Sequence, residues 1–279
     1  MSYDIRIVNH GFFKLDGGSM FGAVPKAIWE KVYPADSRNR IQLATNSLLL
    51  RGEGRVILVD VGNGDKWSDK QKDIFEFNPV PEEELGFKKE EVTDIILTHL
   101  HFDHAGGISY FNSRGNLALS YPNANVYLQE ANFKTALSPN VREKASYLKE
   151  NVEILKEANL FLLQGDEEIF PGVKVYRVDG HTEGQQVVEV NTGGIILLYL
   201  TDLCPTSRHL PLPYHMGYDM CVKTLLKEKK RFLDYAVQNS AVLVFEHDPD
   251  TTLATITLNE KKHYCPKTSF KSLEEVFSK

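Results

Sequence analysis

Apolar residues along this chain fall mostly into short dense runs. Residues 5–8, 47–50, 56–61, 94–98, 126–128, 173–178, 186–190, 195–200, 242–245 and 255–258 are rich in Val, Ile and Leu, and Gly, Asn, Asp or Pro lies between many of them. Runs of that length and composition predict β-strands. Two stretches carry helical spacing instead. Residues 140–150 form one. Residues 219–238 form the longer, with Leu225, Leu226, Phe232, Leu233 and Val237 as its expected buried positions. The order is strands, helix, strands, helix. It fits an α/β (α+β) fold of two mixed sheets packed face to face with helices outside, rather than a strict βαβ alternation. No repeat and no low-complexity linker breaks the pattern, so residues 1–279 read as one domain.

Composition narrows the class without changing this picture. The chain of 279 residues is 42% hydrophobic and 25% charged, as ordinary globular proteins are. A net charge of −6 argues against a broad nucleic-acid surface. The one basic run, residues 227–231 (KEKKR), falls in the longer predicted helix and is expected to form a solvated face. Cys204, Cys221 and Cys265 are odd in number and form no CxxC pair, which suggests neither a disulfide framework nor a cysteine zinc site. The N-terminus has no secretory pattern, and no apolar run reaches the roughly 18 residues of a membrane span. The expected setting is the cytoplasm, with no membrane partner.

Candidate chemistry enters at residues 98–107, THLHFDHAGG. Three of the nine histidines lie here, His99, His101 and His104, with Asp103 among them. The cluster begins where the predicted strand 94–98 ends, a place where a rigid sheet presents side chains to a loop-lined cleft. His99 and His101 are two residues apart and point the same way in extended backbone, so both can face one metal ion. Asp103 and His104 follow a turn of the chain and can face a second. One ion needs three or four protein ligands. Three further candidates stand at strand ends: His181 after 173–178, Asp202 after 195–200 and His247 after 242–245.

The set THLHFDH, GHTEGQ, TDL and FEHD resembles the metallo-β-lactamase superfamily. The resemblance runs from the strand ending at Asp60 through His247. It implies a four-layer αββα sandwich with a two-metal site along one edge. It also implies that His99, His101 and His181 hold one ion, that Asp103, His104 and His247 hold the other, and that Asp202 bridges them. Asp60 matches the family's aspartate below the metal loop, which orients ligating imidazoles.

Zinc β-lactamases carry a cysteine where this chain has Asp202, and Cys204 reads as a packed thiol. A bridging carboxylate resembles the glyoxalase-II, lactonase and phosphodiesterase branches. Residues 16–26 (DGGSMFGAVPK), with Trp29 beyond, resemble the N-terminal segment of quorum-quenching lactonases, which lies over the site. Residues 10–40 are therefore expected over the active site, with Met20, Phe21 and Trp29 at the substrate pocket. The chain departs from those lactonases at Pro205, where they place a tyrosine that polarises the lactone carbonyl. Tyr218 or Tyr214 is the expected substitute.

The resemblance implies a hydrolase in which a hydroxide shared by two divalent ions attacks a small-molecule lactone or other carboxylic ester. Asp103 would move the proton to the leaving group, and a homodimer is the expected assembly. Nitrogen and oxygen ligands suit Zn²⁺ first, with Mn²⁺, Fe²⁺ or Co²⁺ also compatible. Phosphodiester, phosphotriester or thioester hydrolysis at the same centre is the alternative. A mono-iron persulfide dioxygenase using His99, His101 and His181 alone, and a non-catalytic metal-binding protein, are the readings from other classes. His209 and His215 are expected at the surface or pocket rim.

Overall fold

The computed structural model describes residues 3–278. Two seven-stranded mixed sheets dominate it. In spatial order the first runs Asn78–Pro79, Asp4–Asp16, Arg40–Gly52, Arg55–Val59, Asp94–Ile96, Asn125–Gln129 and Asn159–Leu163. The second runs Glu167–Phe170, Val173–Val178, Gln185–Thr192, Ile195–Tyr199, Val242–Val244, Leu253–Leu258 and Tyr264–Phe270.

The central strands read as unbroken apolar runs because both of their faces are covered. Leu48, Leu50, Ile57, Val59 and Ile96 pack inward against Val175, Val188, Leu197, Tyr199 and Val244 of the other sheet. Their neighbours Leu49, Leu58, Ile95 and Leu97 face outward into a second core that includes Ala136 of helix Glu130–Leu137 and Val152 of helix Lys149–Glu153. Leu198, Leu200, Leu243 and Phe245 face outward beneath Leu225, Phe232, Leu233 and Ala236 of helix Val222–Asn239. Helix, sheet, sheet and helix make the four expected layers. No helix among the described residues is long and apolar enough to cross a membrane.

Four expectations need correction. The first strand extends over Asp4–Asp16, well beyond 5–8, with an irregular register between Asn9 and Phe12. The edge strands Glu167–Phe170 and Tyr264–Phe270 carry too many polar residues to stand out as apolar runs, and the apolar edge strand Asn159–Leu163 (NLFLL) is not among the predicted runs.

Residues 140–150 do not form a helix. Turns occupy 141–146, and helical structure begins only at Lys149. The Asn140 side chain accepts hydrogen bonds from the N–H groups of Arg142 and Glu143, a local alternative to helical bonding. Glu143 and Tyr147 are drawn inward to the Thr182 hydroxyl, at 2.6 and 2.8 Å.

The solvated basic face is also interrupted. Lys229 is buried, and its ammonium donates to the carbonyls of His209, Pro211 and Tyr214. A buried ammonium needs such acceptors, and these three tie the loop before the helix to the helix itself.

Candidate metal centre

The metal-type residues occupy loops at one edge of the sandwich. The loop after Asp94–Ile96 carries His99 and His101, the short helix Phe102–Ala105 that follows carries Asp103 and His104, and the segment is held on several sides. Asp60 accepts hydrogen bonds from the Thr98 N–H at 2.8 Å and the Thr98 hydroxyl at 2.7 Å. The Leu100 N–H donates to the Asn132 side chain, and the Gln186 N–H donates to the Thr98 carbonyl. His181 follows Val173–Val178, and Gly180 before it allows a close approach: a Cβ there would stand 2.3 Å from the Leu225 Cα. Asp202 lies in the short turn after Ile195–Tyr199, and His247 lies beyond Val242–Val244.

Asp60 and Thr201 both adopt left-handed backbone, with φ of 59° and 49°. Such conformations are strained for residues other than glycine and concentrate at functional sites.

These side chains converge into two groups. His99, His101, His181 and Asp202 form the first; Asp103, His104 and His247 form the second. Asp202 stands between them. One of its oxygens lies 3.0 Å from His181 Nε2, 3.4 Å from His104 Nε2 and 3.6 Å from His99 Nε2, and the other lies 3.2 Å from His247 Nε2. Asp103 carboxylate oxygens lie 3.8 Å from His104 Nε2 and 3.7 Å from His247 Nε2. All seven residues are buried.

The surrounding acceptors assign the ring protons. His181 Nδ1 faces an Asp219 oxygen at 2.8 Å, His247 Nδ1 faces the Ala44 carbonyl at 2.8 Å, and His104 Nδ1 faces Asp60 at 3.1 Å. Each acceptor takes the Nδ1 proton, which leaves an Nε2 lone pair aimed inward. The inward atoms then oppose one another. His104 and His247 Nε2 are 3.3 Å apart, and His181 Nε2 faces the Asp202 carboxylate. His99 Nε2, His101 Nε2 and one Asp202 oxygen are buried without a hydrogen-bond partner. Facing lone pairs and orphaned buried acceptors are costly unless a cation lies among them. The donor set of imidazoles and carboxylates fits divalent transition ions.

The protonation pattern points the same way. Burial and the neighbouring imidazoles hold His99 and His101 well below the ordinary histidine value. For His181, burial acts to lower the pKa, but the Asp202 and Asp219 carboxylates outweigh it and raise it to about 10. His247 rises to about 9 because Asp202, Glu246 and Asp103 outweigh burial.

Above the centre opens a cavity of about 150 Å³. His101, Asp103, His181, Asp202 and His247 reach it from the centre. Leu15, Met20, Leu43, Phe75, Phe102 and Met216 give it apolar walls, and Ala145, Ser146 and Tyr218 complete it. Of the residues expected at the pocket, Met20 lines it. Phe21 and Trp29 stand in the aromatic cluster behind, stacked on each other at 5.4 Å. A Cβ at Gly17 would lie 2.4 Å from the Trp29 ring, which accounts for one glycine of the DGGS segment.

Tyr218 lines the cavity, and burial raises its phenol above the ordinary value, so it stays a hydrogen-bond donor at neutral pH. Tyr214 packs edge-on to Phe21 and does not line it. Pro205 serves another purpose: its carbonyl accepts the His247 N–H at 3.0 Å. Cys204 is a buried thiol, pushed up to about 11 by burial. His209 is not at the surface. It is fully buried, bonded to Thr206 at 2.8 Å and to the Met20 carbonyl at 2.9 Å. His215 is half-buried beside Asp219.

Two carboxylates escaped the sequence reading. Asp219 carries the His181 contact, and buried Glu246 places an oxygen 3.0 Å from His104 Nδ1. Glu246 had one signal, a charged residue directly after an apolar strand and before a ligand-type histidine. Asp219 had none nearby.

The comparisons agree with this geometry. Residues 40–247 match the family model described as the metallo-beta-lactamase superfamily. An N-acyl homoserine lactonase of Bacillus cereus is 30% identical over 168 residues, and the match spans 59% of each chain. A probable metal-dependent hydrolase from Staphylococcus aureus superposes with a TM-score of 0.86 at 26% identity, covering 96% of this chain and 98% of that one. The dizinc quorum-quenching lactonase AidC superposes at 0.74 with 20% identity, covering 97% and 99%, a likeness of fold. With its family model matched over most of its length and its metal-type residues gathered at the sheet edge, the chain belongs to the metallo-beta-lactamase superfamily.

Proposed function

We propose that this chain is a two-metal hydrolase acting on lactones or related carboxylic esters. The carrying observation is the convergence of seven metal-type side chains, five of which open onto an apolar-walled cavity. His99, His101 and His181 would hold one ion, Asp103, His104 and His247 the other, and Asp202 would bridge them. Zn²⁺ is the first candidate. When bound, the ions supply an acidified water as nucleophile and Lewis-acid polarisation of the carbonyl.

The protein's own groups complete the chemistry. Tyr218 donates from the cavity wall to the carbonyl oxygen as negative charge develops there. Asp103 lines the cavity and carries the proton toward the departing alkoxide. Leu15, Met20, Phe75 and Met216 exclude water and receive the apolar part of the substrate. The Bacillus cereus relative, an N-acyl homoserine lactonase, makes acyl-homoserine lactones the first substrates to try.

The test is acid release in a pH-stat from acyl-homoserine and simple γ-lactones, using protein loaded with Zn²⁺ or Mn²⁺. Release that stops with chelator and returns with metal is the expected result. A protein shown to hold two ions and inert toward every lactone would redirect the proposal to phosphoesters and thioesters.

A further inference from the structure

The segment expected as a helix forms a wall of the cavity instead. It is fixed at several points. Glu143 and Tyr147 bind the Thr182 hydroxyl next to His181, and the Arg142 guanidinium donates to the Gly217 carbonyl next to Tyr218. The Phe102 N–H donates to the Ser146 carbonyl at 2.9 Å, and the Ser146 N–H donates to the Glu143 carbonyl at 2.8 Å. Ser146 is therefore pinned beside a residue that lies between His101 and Asp103.

Its side chain is left over. Ser146 lines the cavity, it is only half-buried, and its hydroxyl makes no hydrogen bond among the described residues. Apart from the residues of the centre and Tyr218, the other lining side chains carry no hydrogen-bonding group. A substrate that packs against this wall of the cavity displaces the water that solvates this hydroxyl. A ligand that cannot pair with it then leaves a buried polar group unsatisfied, while one that presents an amide restores the bond.

Resting on the hydrolase reading above, we propose that Ser146 is a specificity-determining residue. Its hydroxyl bonds the amide of a substrate in which that amide stands next to the ester under attack, and so favours amide-substituted lactones over plain alkyl lactones. The backbone bond from Phe102, between His101 and Asp103, sets Ser146 beside the metal loop, which calls for an amide within a few bonds of the reacting carbonyl.

The test compares kcat/KM for N-hexanoyl-homoserine lactone and a γ-alkyl lactone of matched length, in the metal-loaded wild type, Ser146→Ala and Ser146→Thr. The expected result is a preference for the amide substrate that falls about tenfold in S146A, mainly through KM, and is retained in S146T. An unchanged ratio in a folded S146A protein overturns the proposal. If neither lactone is opened, the hydrolase reading fails separately. Calorimetry then decides the role of Ser146, using N-hexanoyl-homoserine and a hydroxyalkanoate of matched length as probes. A discrimination lost in S146A supports the role; equal affinities, or no binding of either probe, overturn it.

Discussion

His181 and Asp219 stand 38 residues apart in the chain, yet an Asp219 oxygen lies 2.8 Å from His181 Nδ1. The other Asp219 oxygen accepts the Met216 N–H at 2.7 Å. One carboxylate thus orients an imidazole of the centre and fixes the loop that carries Met216 and Tyr218 to the cavity.

If His181 holds an ion as proposed, Asp219→Ala is expected to weaken that ion by about 10- to 100-fold, the usual effect of removing the partner of a ligating histidine. Competition against a chromogenic chelator measures this directly. Unchanged affinity for both ions would show that His181 needs no such support.

Tyr218→Phe removes one oxygen and leaves the ring in the cavity wall. Turnover should fall about 100-fold or more, with metal content unchanged, if the phenol stabilises developing negative charge. Metal analysis alongside kcat separates this from damage to the centre. A variant with wild-type kcat would rule Tyr218 out.

Lys229→Met leaves three carbonyls without their ammonium donor and fills the space with an apolar chain. A loss of about 3 kcal/mol is expected, since only one partner of a buried polar cluster has been removed. For a chain of this size that corresponds to a Tm lower by about 6–12 °C. Calorimetry of the metal-free protein provides the comparison, and an unchanged Tm would contradict the burial of Lys229.

Burial lowers His209 to about 4, against an ordinary histidine value of 6.5. The unfolded chain therefore binds a proton that the folded one refuses between those values. Stability should fall as pH drops from about 6.5 toward 4, by up to about 3 kcal/mol from this residue. Urea titrations of the metal-free protein at pH 4.5 and 7 should show a smaller difference for His209→Gln than for the wild type. Equal differences would place the acid sensitivity elsewhere.

The strand cores and the seven metal-type residues were legible because the latter lie at strand ends or, for Asp103 and His104, in the short helix just beyond one, where a local pattern carries the information. Met20 was placed at the pocket through resemblance of its segment. Other features depend on partners distant in sequence. Nothing near Asp219 announces His181, and residues 140–150 have helical spacing that the Asn140 side chain and the pull of Thr182 override. Lys229 lies between. The run KEKKR hides it, yet its helical phase matches Leu225, Phe232, Leu233 and Ala236, all on the buried stripe. His209 looked like a rim residue only because its partners, Thr206 and the Met20 carbonyl, are invisible to periodicity.

Asp60 and Thr201 hold a backbone shape that glycine or asparagine would adopt more easily. Selection for thermal robustness alone would drift toward those residues at both positions. At Asp60 such a change would relax the chain and at once release Thr98 and His104 from their shared acceptor. An engineer ranking substitutions by stability would thus meet attractive candidates at this edge of the sandwich, and accepting one at position 60 would trade the centre for a hardier shell.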